Sequence, residues 1–323
     1  MSVLLIVAGL ALLAAGGELL LRGAVGLAAR LQLSPAVIGL TVVAAGTSVP
    51  ELAVSVLAAL EERTDLAVGN VVGSNLFNLL AILGASAVLR PLAIGGSTIR
   101  LEYPVLVLVT LMCLALTQDG TVNRLDAALL LTVHVAFTAY MVSLVRSRMT
   151  VHEVQEFDAE VRDRAHAGPA DSLTRLLLLV AGGAVLLGSG AQATVTGAVA
   201  VATWFGLSER VIGLTIVSVG TSLPEIVTSL VSVARGRDDV AIGNVIGSNL
   251  FNILVILGLS AAISPLTVNA SILASDNWWM LGATLGIFPL MVSRNRIGRL
   301  EGALLLATYG VYLAGLLTAP AAR

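Results

Sequence analysis

The chain has 323 residues, of which 57% are hydrophobic and 12% are charged, and its net charge is −2. Soluble domains carry about 25% charged residues, so this composition excludes a soluble enzyme and a disordered scaffold. The small net charge provides no basic patch for nucleic acid. A single cysteine and three scattered histidines exclude a disulfide framework and a zinc cluster. The composition therefore predicts an all-α polytopic membrane protein.

Apolar runs long enough to cross a bilayer follow one another along the chain. A helix of about 20 apolar residues spans the hydrocarbon core. Five helices are predicted in residues 1–146, near 3–22, 35–60, 66–89, 99–117 and 124–145. The polar segment 147–171 separates them from five more in residues 172–323, near 173–204, 209–234, 239–263, 272–293 and 300–318. The predicted architecture is ten transmembrane helices in two five-helix units.

The two units repeat each other. Residues 38–55 read IGLTVVAAGTSVPELAVS, and residues 212–229 read IGLTIVSVGTSLPEIVTS. Residues 67–84 read AVGNVVGSNLFNLLAILG and agree with 241–258, AIGNVIGSNLFNILVILG, at 14 of 18 positions. Both pairs of blocks are offset by 174 residues without a gap. The chain is therefore a duplication, with 1–146 as the first repeat, 147–171 as the linker and 172–323 as the second repeat.

The helix count predicts how the repeats are oriented. Because five is odd, the second repeat enters the membrane in the opposite sense to the first. With the N-terminus outside, fourteen arginines fall in cytoplasmic segments and four fall outside, which follows the positive-inside rule. We therefore predict a cell-membrane protein with both termini outside and the 147–171 linker in the cytoplasm. Secondary transporters often have such inverted repeats, with the substrate near the midplane between them.

A glutamate lies deep in the second predicted helix of each repeat. Glu51 and Glu225 end a Gly-Thr-Ser-x-Pro-Glu sequence inside a hydrophobic run. A carboxylate at that depth is costly unless it is paired, hydrated or bound to a cation, and no arginine is predicted at a comparable depth. Pro50 and Pro224 lack an N–H group and clash with the carbonyl four residues back, so a break is predicted in both helices. The carbonyls freed by such a break are hard oxygen ligands.

Further polar side chains accompany each glutamate. A threonine precedes each glutamate by four residues and shares its helix face. One stripe of side chains spaced by four residues runs along the third helix of each repeat: Asn70, Ser74 and Asn78, then Asn244, Ser248 and Asn252. Asn75 and Asn249 are turned about 100° away and are predicted to satisfy backbone groups or neighbouring helices. An all-oxygen set favours a hard cation, and two carboxylates balance one Ca²⁺ or two Na⁺.

The paired G-T-S-x-P-E and G-N-x-x-G-S-N-x-F-N blocks resemble the two alpha repeats of the cation/Ca²⁺ antiporter superfamily, which includes the sodium/calcium exchangers. The resemblance covers both blocks and the ten-helix plan. It implies a transporter rather than an enzyme, which exchanges Na⁺ for Ca²⁺ by alternating access as the first helix of each repeat slides against the rest. Besides these ions and the lipid bilayer, it implies no cofactor and no obligatory protein partner. The ion ligands it implies are Thr47, Ser48, Glu51, Ser74, Asn78, Thr221, Ser222, Glu225, Ser248 and Asn252.

Alternative functions remain open at this point. A H⁺/Ca²⁺ antiporter of the same superfamily would release Ca²⁺ by protonating the same two carboxylates. A passive cation channel is disfavoured because inverted repeats and two buried acids imply occluded sites. An intramembrane hydrolase is disfavoured because no nucleophile–base motif or G-x-G-D sequence accompanies the acids.

The residue type at position 252 bears on whether transport requires K⁺. One branch of the superfamily carries K⁺ together with Ca²⁺ and has an acidic residue at the matching position. Here that residue and its repeat partner Asn78 are amides, so the predicted site has a formal charge of −2 from its two glutamates. An added K⁺ would leave an uncompensated positive charge in a medium of low dielectric constant. The sequence therefore predicts exchange that does not need K⁺.

Overall fold

The structure is a computed structural model that describes residues 2–31, 35–148, 172–204 and 218–318. The first repeat forms α1 (Ser2–Leu31), α2 (35–47), α3 (Val49–Leu60), α4 (Thr64–Leu89), α5 (Thr98–Thr117) and α6 (Arg124–Arg148). The second repeat forms α7 (Leu173–Trp204), α8 (Ser218–Thr221), α9 (Leu223–Ala234), α10 (Asp238–Ile263), α11 (272–294) and α12 (Arg299–Thr318). Residues 149–171 of the predicted linker lie outside the described residues, as does the start of the predicted helix 209–234.

Most helix ends agree with the prediction to within a few residues, but α1 does not. It continues to Leu31 rather than ending near residue 22. Arg22 does not end the helix, because its Nε atom donates to Glu18 Oε1 one turn earlier, at 2.8 Å, and small apolar residues follow it. Charged side chains near a membrane edge extend their polar ends towards water while the helix continues.

Six helices of the described residues are long and apolar enough to cross a membrane, and a seventh is added if the two parts of 39–60 count as one span. The predicted count of ten spans remains a prediction. The third helices α4 and α10 form the centre of the molecule. In their most apolar stretches, 83% and 94% of the residues are buried in the protein, against 28% in both α1 and α7.

The described residues form a helical protein, as predicted, with four two-residue strands in the connections between helices. They are β1 (Leu92–Ala93), β2 (Thr121–Val122), β3 (Leu266–Thr267) and β4 (Arg296–Ile297). β1 pairs with β4 and β2 pairs with β3, both antiparallel, so each pair joins the two repeats. A proline follows Arg90 and Ser264, and a residue before proline favours the extended conformation. Both residues are extended, with φ, ψ of −151°, 135° and −140°, 129°.

Helices α1 and α7 pack against each other through glycines. A Cβ atom placed on Gly9 would contact Thr194 and the carbonyl of Gly190, and one placed on Gly16 would lie 2.9 Å from the carbonyl of Gly183. Small residues of this kind let the backbones of membrane helices approach closely. Because the partner's number falls as the glycine's number rises, the two helices are antiparallel.

The last helix of each repeat packs on the third helix of the other repeat. A Cβ atom on Gly84 of α4 would lie 2.9 Å from the carbonyl of Gly302 in α12. A Cβ atom on Gly258 of α10 would lie 3.1 Å from the side chain of Leu131 in α6. The outer helix of each repeat therefore packs against the central helix of the other repeat. This packing holds the motif blocks of both repeats side by side.

Candidate functional site

The predicted helix breaks are present in both repeats. Ser48, with φ −83° and ψ 10°, separates α2 from α3, and the helix bends by 56° there. Ser222, with φ −88° and ψ 9°, separates α8 from α9 in the same way. Pro50 and Pro224 lie in the first turn of α3 and α9, where the missing N–H group breaks no helical hydrogen bond. The Gly-Thr-Ser-x-Pro-Glu sequence therefore ends one helix and starts another.

The two glutamates lie in the first turns of α3 and α9, next to the breaks. Glu51 is 1% exposed and Glu225 is 2% exposed. Ser222 Oγ donates to Glu51 Oε1 at 2.9 Å, and Ser48 Oγ donates to Glu225 Oε1 at 2.8 Å. Each carboxylate is thus held by the serine at the break of the other repeat. The helix dipole also favours a negative charge in the first turn of a helix.

The second carboxylate oxygen of each glutamate accepts no hydrogen bond from the described residues. Glu51 Oε2 and Glu225 Oε2 are buried and have no hydrogen-bond partner. No arginine forms an ion pair with either carboxylate among the residues that the structure describes. A buried acceptor left without a partner costs about 1–3 kcal/mol, and more when it is charged. Such oxygens are hard ligands, the type that Na⁺ and Ca²⁺ prefer in proteins.

Serines and threonines of both repeats surround the breaks. Ser48 Oγ lies 3.2 Å from Ser248 Oγ, and the equivalent atoms of Ser222 and Ser74 lie 3.4 Å apart. Thr47 Oγ1 donates to the backbone oxygen of Ala44 at 3.2 Å and lies 3.3 Å from Asn244 Oδ1. Thr221, its repeat partner, is partly buried next to Ser222. The structure therefore brings the hydroxyl groups predicted from both motif blocks to one place.

Asn78 and Asn252 lie where α4 and α10 change to π-helical turns, Phe77–Ile82 and Asn252–Leu257. Both residues are 1% exposed. Their Nδ2 atoms donate to Asn249 Oδ1 at 3.2 Å and to Asn75 Oδ1 at 2.9 Å, respectively. Their own Oδ1 atoms are buried without a partner. The two amide oxygens are thus buried acceptors without a hydrogen bond, like Oε2 of the two glutamates.

Asn70 and Asn244 lie on the predicted polar stripe, but the sequence does not indicate their role. Asn70 Nδ2 donates to the backbone oxygen of Glu51 at 3.2 Å and to Ser55 Oγ at 2.9 Å. Asn244 Nδ2 donates to the backbone oxygen of Glu225 at 3.5 Å and to Ser229 Oγ at 3.0 Å. These amides therefore fix the glutamate-bearing helices α3 and α9 against α4 and α10.

The acid of the first helix lies apart from this cluster. Glu18 has a side chain that is 24% exposed, and it forms ion pairs with Arg22 at 2.8 Å and Arg235 at 3.1 Å. Its charge is therefore compensated by arginines, unlike those of Glu51 and Glu225. Among the described residues, apolar helices thus enclose a buried polar centre, which is an arrangement found in helical membrane transporters.

Comparisons with known proteins identify the family. The profile of the family described as sodium/calcium exchanger protein matches residues 1–143 and 175–318. The chain belongs to this family, which confirms the resemblance carried by the two motif blocks. The family consists of multi-pass membrane transporters, so the transport class and the membrane location hold for this chain.

Relatives match along nearly the whole chain. The putative antiporter CaxA of Alkalimonas amylolytica is 40% identical over 312 residues, which are 95% of this chain and 96% of the relative. The sodium/calcium exchanger MaX1 of Methanosarcina acetivorans is 28% identical, over 96% of this chain and 97% of the relative. A structure of the sodium-calcium exchanger NCX_Mj, soaked with Na⁺ and Ca²⁺, superposes with a TM-score of 0.82 and 28% identity over 98% of each chain.

Proposed function

We propose that this protein is a secondary active antiporter that exchanges Na⁺ for Ca²⁺ by alternating access and does not need K⁺. One observation carries the proposal. Each repeat supplies a buried carboxylate with one oxygen held by a serine of the other repeat and a second oxygen without a hydrogen-bond partner, at Glu51 and Glu225.

The ligands of the transported ions are proposed to be the ten residues that the sequence predicts. Four of their oxygens are buried without partners: Oε2 of Glu51 and Glu225, and Oδ1 of Asn78 and Asn252. Ca²⁺ takes six to eight oxygen ligands in flexible geometry, so the serine and threonine hydroxyls complete the set. The charge of −2 balances either one Ca²⁺ or two Na⁺. The two ions therefore compete for one set of ligands, and such competition is what couples their movement in an exchanger.

The proposal includes ten spans in two inverted repeats, with both termini outside and the 147–171 linker in the cytoplasm. The antiparallel packing of the equivalent helices α1 and α7 supports this. The strand pairs also support it. In the first pair, β1 follows α4 and β4 follows α11. In the second pair, β2 follows α5 and β3 follows α10. If α5 crosses the membrane, the two pairs lie at opposite edges, and the equivalent helices α4 and α10 end on opposite sides.

A H⁺/Ca²⁺ antiporter is the second candidate, and one observation favours it. The buried carboxylates of Glu51 and Glu225 belong to one cluster, because each accepts a hydrogen bond from the serine at the helix break of the other repeat. Without a cation between them, a proton on either one relieves the repulsion, and proton uptake would then accompany Ca²⁺ release. Both antiporters use the same residues, so the driving gradient distinguishes them.

Uptake of radioactive Ca²⁺ into liposomes that contain the purified protein tests the proposal. One set of vesicles carries an outward Na⁺ gradient, a second carries only a pH gradient, and a third carries no gradient. We expect uptake in the first set alone, and no uptake with the Glu225→Gln variant. Uptake driven by the pH gradient alone would favour the H⁺ antiporter, and gradient-independent uptake would indicate a channel.

A further inference from the structure

Four asparagines form two matching pairs at the centre of the molecule. Asn252 Nδ2 donates to Asn75 Oδ1 at 2.9 Å, and Asn78 Nδ2 donates to Asn249 Oδ1 at 3.2 Å. All four residues are at most 1% exposed. Each pair joins a residue of one repeat to a residue of the other, and the two pairs are related by the same offset of 174 residues as the sequence repeats. The arrangement therefore occurs twice in one chain.

The orientation of an amide decides whether it binds a cation. The oxygen and the NH₂ group of an asparagine have nearly the same size, so a half-turn about the last side-chain bond exchanges them with little steric cost. Only the oxygen is a ligand for Na⁺ or Ca²⁺. The NH₂ group in its place would direct two partly positive hydrogens at the ion. Asn78 and Asn252 therefore need something that holds their oxygens towards the site.

We propose that Asn75 and Asn249 are positioning residues that fix the amides of Asn252 and Asn78, so that the ligand oxygens face the transported ion. The inference rests on the proposed function and adds two residues to its machinery. The neighbour's Oδ1 atom accepts a hydrogen bond only from the NH₂ end of the ligand amide. If that amide turned over, two oxygens would face each other in a buried setting, where unpaired acceptors are costly. The observed free Oδ1 atoms of Asn78 and Asn252 are the result expected of such a restraint.

The Asn75 side of this arrangement is held more firmly than the Asn249 side. Asn75 Nδ2 donates to the backbone oxygen of Asn249 at 3.4 Å and contacts Met280 Sδ at 3.7 Å. These contacts use the NH₂ group of Asn75, which leaves its oxygen to face Asn252. Asn249 Nδ2 is buried without a partner. Asn75 is therefore the better position for the test.

A change of the ligand to aspartate separates positioning from packing. A carboxylate carries an oxygen at either end, so Asn252→Asp presents an oxygen to the ion whichever way it turns. Asn75→Leu keeps the same branching of the side chain but removes the positioning group, and in the Asn252→Asp background there is then no orientation left to disturb. If Asn75 serves only to fill space, its removal has the same effect whether residue 252 is an amide or an acid.

The experiment compares the wild type, the two single variants and the double variant. Binding is read from the Ca²⁺ concentration that half-maximally raises the melting temperature in detergent, and transport is read from Na⁺-driven Ca²⁺ uptake. Changes to groups that orient a metal ligand cost about 10- to 100-fold in affinity. We expect Asn75→Leu to weaken Ca²⁺ binding at least tenfold in the wild-type background and less than threefold in the Asn252→Asp background. Ser86→Ala, at a buried polar position in the same helix, is the matched control and leaves binding unchanged.

Each outcome has a separate meaning. Equal losses in both backgrounds, or no loss in either, would overturn the positioning role even if the wild type transports Ca²⁺. A wild type that binds Ca²⁺ but does not exchange it for Na⁺ would overturn the proposed function, while the binding comparison still decides the positioning role. A wild type that does not bind Ca²⁺ would overturn both. If Asn75→Leu does not fold, Asn249→Leu with Asn78→Asp makes the same comparison on the other side of the site.

Discussion

A methyl group added at Gly183 tests how closely α1 and α7 pack. A Cβ atom there would lie 2.5 Å from Leu20 N and 2.9 Å from Gly16 O. Both contacts are backbone atoms that cannot rotate away, so the helices must separate by about 1 Å to restore ordinary contact distances. Such overpacking costs about 1–3 kcal/mol. We therefore expect Gly183→Ala to lower the free energy of unfolding.

Gly182 provides the matched control. A Cβ atom on Gly182 meets no described atom within 4 Å, and alanine raises the helix propensity at both positions by about 1 kcal/mol. This gain cancels when the two variants are compared, so Gly183→Ala should be less stable than Gly182→Ala by about 2 kcal/mol. The melting temperature in detergent, read from the monodisperse fraction after heating, measures the difference. Equal melting temperatures would show that α1 and α7 are not in backbone contact.

The remaining predictions concern charge, topology and K⁺. Glu51→Gln and Glu225→Gln should each reduce Ca²⁺ uptake by more than about 100-fold without loss of folded protein. Each variant leaves one carboxylate to pair with a divalent ion, and removing one partner of a buried ion pair costs about 3–5 kcal/mol. Full activity of either variant would contradict the site assignment. Glu18→Gln should have a milder effect on the same uptake, because that acid is paired with arginines rather than left free for an ion. An impermeant thiol reagent added outside intact cells should label Glu62→Cys and not Arg237→Cys, whereas labelling of both would refute the inverted topology. Uptake should be equal in choline and K⁺ media once valinomycin has fixed the membrane potential, and a strict K⁺ requirement would show that another group supplies negative charge.

The features of the site that the sequence predicted follow from local chemistry. The breaks at Ser48 and Ser222 were predictable because proline removes an N–H group wherever it stands. The meeting of the motif blocks was predictable because inverted repeats of secondary transporters place the substrate between them. The depth of Glu51 and Glu225 in apolar runs marked them as the acids that require a partner.

The features that the sequence did not predict depend on packing between helices. Helix periodicity showed that Asn75 points away from Asn78, but spacing along one helix does not reveal which residue of another helix it meets. The π-helical turns at Phe77–Ile82 and Asn252–Leu257 leave no periodic signal over so few residues. The strands had a usable signal, because a proline follows Arg90 and Ser264, yet their partners lie in the other repeat.

The two strand pairs bear on how a duplicated chain diverges. In an assembly of two identical units, every substitution would appear in both pairs at once, whereas this chain can change each pair alone. The buried positions have kept their apolar character, with Leu92 opposite Ile297 and Val122 opposite Leu266. The neighbouring positions have separated, since Ala93 faces Arg296 in one pair while two threonines face each other in the other. Because one chain contains both pairs, each pair can be substituted independently, and their exposed positions already differ.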